Sequence, residues 1–118
     1  MHELYIAESI LASTRESLPA EFLPESVRQI WVQVGRLDAV VPETLIFMFD
    51  AIKSSHGMPG AELSLESIEV LCRCGECGNE FEIDLPMFIC PECGGGQVEV
   101  LRGRGIKLTR INAEEPEG

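Results

Sequence analysis

The sequence predicts an α+β fold: a small mixed β-sheet carrying two α-helices, with a four-cysteine metal module set into the second half of the chain. Three observations predict it. Apolar residues recur at helical spacing over 3–17, and residues 27–35 alternate apolar and polar as a half-buried strand does. Two Cys-x-x-Cys knuckles, Cys74-Gly-Glu-Cys77 and Cys90-Pro-Glu-Cys93, stand twelve residues apart. The expected layout is an α/β part over 1–70, completed by a strand at 105–112, and a metal module over 71–104. A disordered acidic tail is expected over 113–118.

Each element has a local reason. In the first helix, 3–17, Leu4, Ala7, Ile10 and Leu11 form the apolar stripe, while Glu8, Arg15 and Glu16 lie largely off it. Pro19 and Pro24 bracket a loop through Phe22. In the strand 27–35, Ile30, Val32 and Val34 share one face; Gln29, Trp31 and Gln33 share the other, and Gly35 ends the run. Trp31 is left either to a later segment or to a partner. Pro42 and Glu43 suit the first turn of a second helix, where the absent N–H costs nothing and the dipole favours an acid. Leu45, Phe49 and Ile52, with Met48, supply its core face, and the run from Ser54 to Gly60 breaks it. A strand follows over 61–70. Leu63 and Leu65 are in phase and Ile68 and Val70 are one residue out, which implies a bulge or bend. Phe81, Ile83, Phe88 and Ile89 fill the metal module, and two last strands follow from Val98, separated by the turn Gly103–Gly105.

The knuckles carry the strongest chemistry. A two-residue spacer lets one turn present both sulfurs to one ion, and the glycines that follow, Gly78 and Gly94, give the backbone freedom that turn needs. Two facing knuckles close a tetrahedral site with no open position, which makes its metal structural. Four thiolates select Zn2+, or iron as in rubredoxin. Disulfides in a secreted domain are the competing reading; the paired spacing favours metal. The fifth cysteine, Cys72, reads as a spare thiol beside the first knuckle. His56, in a Gly/Pro loop, reads as a solvated histidine.

The formal charge of −11 opposes nucleic-acid binding, which draws its affinity from neutralising phosphates. No stretch reaches the apolar length of a membrane span, and no basic-then-apolar leader opens the sequence. Five cysteines, four of them in knuckles, suit a reducing cytoplasm. No nucleophile–histidine–acid pattern and no phosphate-cradling glycine loop is present, so an enzyme is not expected.

At the other end, Met1-His2-Glu3 places an α-amine, an amide, an imidazole and a carboxylate within three residues. The amine titrates near about 7.7–8.0, low enough to yield its proton to a metal. Most chains with an early histidine merely expose it; as a metal site, such a nitrogen-rich set favours Ni2+ or Cu2+ in tetragonal geometry.

Met1-His2-Glu3 before an amphipathic helix, Val34-Gly35-Arg36-Leu37 before a proline-led helix, Gly60-Ala61-Glu62-Leu63, and the two knuckles occur in that order. Together they resemble the HypA/HybF family of hydrogenase-maturation nickel metallochaperones, over essentially the whole chain. The resemblance implies an α/β nickel domain with a zinc domain inserted before its last strand. It implies nickel ligands at Met1, His2 and Glu3, and zinc ligands at Cys74, Cys77, Cys90 and Cys93. The cofactors are then Ni2+ as transient cargo and Zn2+ as a structural ion. The implied partners are a nickel-handling GTPase and the large subunit of [NiFe] hydrogenase, with pairing of two copies left open. Some members add an acidic nickel ligand before the second helix; here the acids in that stretch are Asp38 and Glu43, and the sequence leaves open whether either serves. A rubredoxin-like electron carrier and a zinc-ribbon interaction module are the alternatives. A rubredoxin does not need the α/β half, and iron tetrathiolate is red whereas zinc protein is colourless.

Overall fold

A computed structural model describes residues 3–83 and 88–115. The chain forms two compact units. The first comprises Met1–Gln33, Val40–Glu66 and Lys107–Gly118; the second comprises Val34–Ala39 and Ser67–Ile106.

The first unit opens with helix α1, Glu3–Ser17, which buries Ile6, Ala7, Ile10, Leu11 and Thr14. Leu4, expected in this stripe, is instead 41% exposed. At ~100° per residue it lies ~90° from the centre of the buried set, at the rim of the stripe. Thr14 resolves its buried hydroxyl by donating to the Ile10 carbonyl at 2.8 Å. A short 3-10 turn, Pro24–Ser26, leads into strand β1, Val27–Gly35, where Ile30, Val32 and Val34 are buried as the alternation requires. Helix α2, Pro42–Ile52, starts with proline in its first turn and packs against α1. Leu45 and Phe49 are fully buried; Met48 and Ile52 are half-buried. Met58, assigned from sequence to the loop that breaks α2, is fully buried. Its N–H donates to the Lys53 carbonyl at 2.9 Å, so the loop folds back beneath the helix end.

Strand β2, Glu62–Ile68, and strand β6, Ile106–Ala113, flank β1 in a three-stranded sheet of order β2-β1-β6. The outward row of β1 is bonded to both neighbours. Gln29 donates to the Ser64 hydroxyl, Gln33 to Glu66 at 3.2 Å, and Thr109 to the Trp31 carbonyl at 3.2 Å. The Arg110 guanidinium lies 4.8 Å from the centre of the Trp31 ring, so a later strand covers this tryptophan. The tail is ordered further than expected. Ala113 closes β6, the Glu114 N–H donates to Ser26 at 2.9 Å, and its carboxylate meets Arg28 at 2.9 Å. Residues 116–118 lie outside the described residues.

In the second unit, strand β3, Val70–Cys74, pairs antiparallel with β4, Glu80–Ile83, and with β5, Val98–Arg102, in the order β4-β3-β5. The single strand expected over 61–70 is therefore two strands in two sheets. The phase change between Leu65 and Ile68 prepares the step from one sheet to the other at Glu69. Val70, Cys72 and Cys74 point to the buried face, opposite Ile83, Phe81, Val100 and Val98. Phe88 is half-buried, but Ile89, expected as filling, is 52% exposed. Residues 34–39 form a strap across the turn after β5. The Gly35 N–H donates to Gly105 at 2.9 Å, the Leu37 N–H donates to Gly103 at 3.0 Å, and Arg36 makes two bonds to the Glu69 carboxylate. A Cβ on Gly35 would stand 2.2 Å from the Gly103 carbonyl oxygen, so the crossing requires glycine there.

Candidate metal centre

The two knuckles are built alike. In the first, the Gly78 N–H donates to the Cys74 carbonyl at 3.0 Å and the Cys74 N–H to the Asn79 carbonyl at 2.8 Å. In the second, the Gly94 N–H donates to Cys90 at 2.9 Å and the Cys90 N–H to Gly95 at 3.0 Å. Gly78 and Gly94 both adopt left-handed backbone, φ 78° and 73°, which turns each chain away after its second cysteine. The first knuckle hangs from the end of β3, and the Gly75 N–H is tied to Gln97 at 2.7 Å just before β5. The second has Pro91 at the position corresponding to Gly75, and a proline has no N–H to make the matching bond.

These turns bring four sulfurs together. Cys74 and Cys93 Sγ are 3.5 Å apart, Cys77 and Cys90 Sγ are 3.6 Å apart, and all four lie within 4.8 Å of one another. A tetrahedral ion with Zn–S bonds of about 2.3 Å has sulfur–sulfur edges near ~3.8 Å. The residues fit such an ion. Cys74 and Cys90 are buried, whereas Cys77 and Cys93 are exposed, so the cluster is half-sunk in the unit.

Without an ion, the thiols divide their protons by pairs. Backbone N–H groups of Cys77 and Glu76 lower Cys74, helped by the thiols of Cys93 and Cys77. Burial alone would raise Cys90, but the Cys93 and Glu92 N–H groups and the neighbouring thiols outweigh it and bring it to about 6. The partner in each pair keeps its proton. The Gly95 N–H favours Cys93 thiolate, but the Cys74 thiol, burial and the other cysteines push it up to about 12. The Asn79 N–H favours Cys77 thiolate, but the Cys90 thiol, burial and the Cys74 thiol together outweigh it and raise the group. A divalent cation removes this conflict by taking the place of the shared protons.

Cys72 stands apart from this cluster. It is fully buried in the middle of β3 between Phe81 and Val100, and burial pushes its thiol up, away from the reactive thiolate. His56 is half-buried in the turn after α2 and belongs to no metal-ligating group among the described residues. Met1 and His2 lie outside the described residues; Glu3 is the first residue of α1 and is half-buried. Asp38 has a structural task that sequence reading missed: its carboxylate accepts the Gly105 N–H, locking the strap to the turn. Glu43 is exposed in the first turn of α2.

A family model for "Hydrogenase/urease nickel incorporation, metallochaperone, hypA" matches residues 1–113. The chain belongs to the HypA family. Among similar proteins, a hydrogenase maturation factor HypA of Desulfosudis oleivorans is 36% identical over 115 residues, which cover 98% of this chain and 100% of that one. A HypA of Streptomyces avermitilis is 31% identical, covering 98% of this chain and 88% of that protein. The solution structure of the Ni metallochaperone HypA from Helicobacter pylori superposes with a TM-score of 0.70, covering 99% and 100% of the two chains. At 19% identity that likeness establishes the HypA fold, not the chemistry.

Proposed function

We propose that this chain is a nickel metallochaperone that collects Ni2+ at its N-terminus and delivers it during [NiFe] hydrogenase maturation. Cys74, Cys77, Cys90 and Cys93 hold a structural zinc. The observation that carries the reading is the family match across residues 1–113, joined to four sulfurs spaced for one tetrahedral ion. The role is exchange rather than catalysis, carried out in the cytoplasm with a nickel-handling GTPase and the hydrogenase large subunit as partners.

The nickel ligands are Met1 through its backbone, the His2 imidazole and Glu3. His2 precedes the buried stripe of α1, which begins at Ile6, so a partner can strip the ion with little disturbance of the core. Zinc, when bound, would supply a redox-inert cross-link for the second unit, held by the thiolates of Cys74, Cys77, Cys90 and Cys93.

Calorimetric titration of nickel tests the assignment. In the His2→Ala protein, specific nickel binding and hydrogenase maturation disappear, while zinc content is kept and stability changes by less than ~0.5 kcal/mol. Residues added before Met1 weaken binding as well, since the amine becomes an amide. Binding by the wild type falls below about pH 6.5 as the imidazole gains a proton. Equal affinities in wild type, His2→Ala and the extended form would remove nickel from this end of the chain.

A further inference from the structure

Helix α2 has two apolar faces, and the fold uses one. Leu45 and Phe49 are fully buried. On the opposite side Phe47 is 69% exposed and Ile46 36%, with Val41 48% exposed at the residue before the helix. At ~100° per residue, 43, 46, 47 and 50 fall on one stripe, turned away from 45 and 49. Single exposed apolar residues are ordinary on protein surfaces, whereas a contiguous patch with a polar rim marks a contact. Here the rim is acidic at both ends: Glu43 one turn before the apolar pair, Asp50 one turn after it, both exposed. Asp50 has Lys53 at 3.3 Å, but that ammonium also donates to the Ala61 carbonyl at 2.9 Å and its side chain is only 20% exposed. Glu43 has no ion pair among the described residues.

We propose that the outer face of α2 docks an amphipathic helical segment of a different protein, one whose apolar pair is flanked on both sides by Lys or Arg. Charge complementarity selects this occupant. Two copies of this chain meeting through the same face about a two-fold axis would set Glu43 against Asp50 of the other copy, like charge on like. A phosphate backbone or an anionic bilayer meets the same two carboxylates on a chain of formal charge −11. A basic segment instead gains at both ends while burying Phe47 and Ile46. The proposal stands on this surface alone and holds whether or not nickel is the cargo.

The test begins with p-benzoylphenylalanine at position 47 in cells, with the same photo-cross-linker at exposed Lys107 on β6 as the control. The cross-linked peptide is mapped by mass spectrometry, synthesised, and titrated into wild type, Phe47→Asp and Glu43→Lys/Asp50→Lys. The expected result is a segment of another protein with basic residues on both sides of an apolar pair. Its affinity drops roughly tenfold or more in both variants, and it weakens as salt is raised. Zinc content stays at the wild-type value in both variants and nickel titration does so in Phe47→Asp, so loss of docking is separable from loss of the metal function. A cross-link only to a second copy, no cross-link beyond the Lys107 control, an acidic segment, or a peptide bound equally by all three proteins would each overturn the proposal.

Discussion

The cysteines show how residues of one type divide into different chemistry. Cys72 and Cys74 are two positions apart on one strand and share its buried face, yet only Cys74 reaches the cluster. Spacing alone placed Cys72 outside the knuckle. Its seat between Phe81 and Val100 adds the physical reason, since it packs as a small apolar side chain. The proton arrangement in the cluster leads to a measurable quantity. At pH 7, Cys93 and Cys77 keep their protons, Cys90 at about 6 has largely lost its own, and the neighbouring N–H groups hold Cys74 below the ordinary thiol value. Zinc uptake at pH 7 therefore releases roughly two to three protons rather than four. Affinity falls on acidification, because thiolates that were free of protons then have to be deprotonated by the metal. Calorimetry in buffers of different ionisation enthalpy gives the proton count, and Cys72→Ala leaves it unchanged. A release of four would overturn this proton arrangement, and loss of zinc in Cys72→Ala would mean that the wrong sulfurs have been assigned.

At the scale of elements, the bounds of α1 and β1 were legible because periodicity and glycine punctuation agree with each other there. Ile30, Val32 and Val34 alternate and are buried, and Gly35 stops the strand. What stayed illegible depends on contacts far along the chain. The buried place of Met58 follows from the fold-back onto Lys53, and the structural use of Asp38 from the Gly105 N–H, neither of which leaves a periodic trace. The out-of-phase pair Ile68 and Val70 was visible as a break, but one strand with a bulge and two strands in separate sheets read the same in one dimension. Helix α2 offers a direct check on which apolar residues hold the fold. Phe49→Ala empties a fully buried site and costs about 3–5 kcal/mol, whereas Phe47→Ala, at 69% exposed, changes stability by less than ~0.5 kcal/mol. Urea unfolding of the two variants measures the difference; similar midpoints would show that the core face of α2 has been misassigned.

Over the whole molecule, the order of elements decides how the two units depend on metal. The four-cysteine module is an insertion: β2 precedes it, β6 follows it, and both return to β1 in one sheet. The cysteine spacing revealed the module, and the late apolar run Ile106–Ile111 hinted at the returning strand. That residues 34–39 group with the second unit was not readable, because the strap is joined to residues 103–105 through the Gly35 and Leu37 N–H groups and the Asp38 carboxylate, contacts that leave no periodic trace. The apolar filling of the second unit is thin: besides Val70, its fully buried side chains include three cysteines, Cys72, Cys74 and Cys90. The first unit buries Phe49, Leu11, Ile30, Leu45 and Met58. Under the proposed zinc site, binding of the ion is folding free energy for a module of this size, so chelation or Cys93→Ser removes protection from the amides of 70–102. The amides of α1 and α2 stay protected, because their bonds and core do not involve the knuckles. Strand β6 is the sensitive reporter. It is tied midway by Thr109 to Trp31 and just past its far end by the Glu114 N–H to Ser26, so it stays paired to β1 even when the segment leading into it loosens. Amide exchange of the Cys93→Ser protein, read strand by strand, therefore shows loss over β3, β4 and β5 and retention over β1 and the C-terminal half of β6. Cooperative loss across both units would show that the ion stabilises the chain as one body, and full protection over β3 to β5 would mean that the ion is not what folds the module.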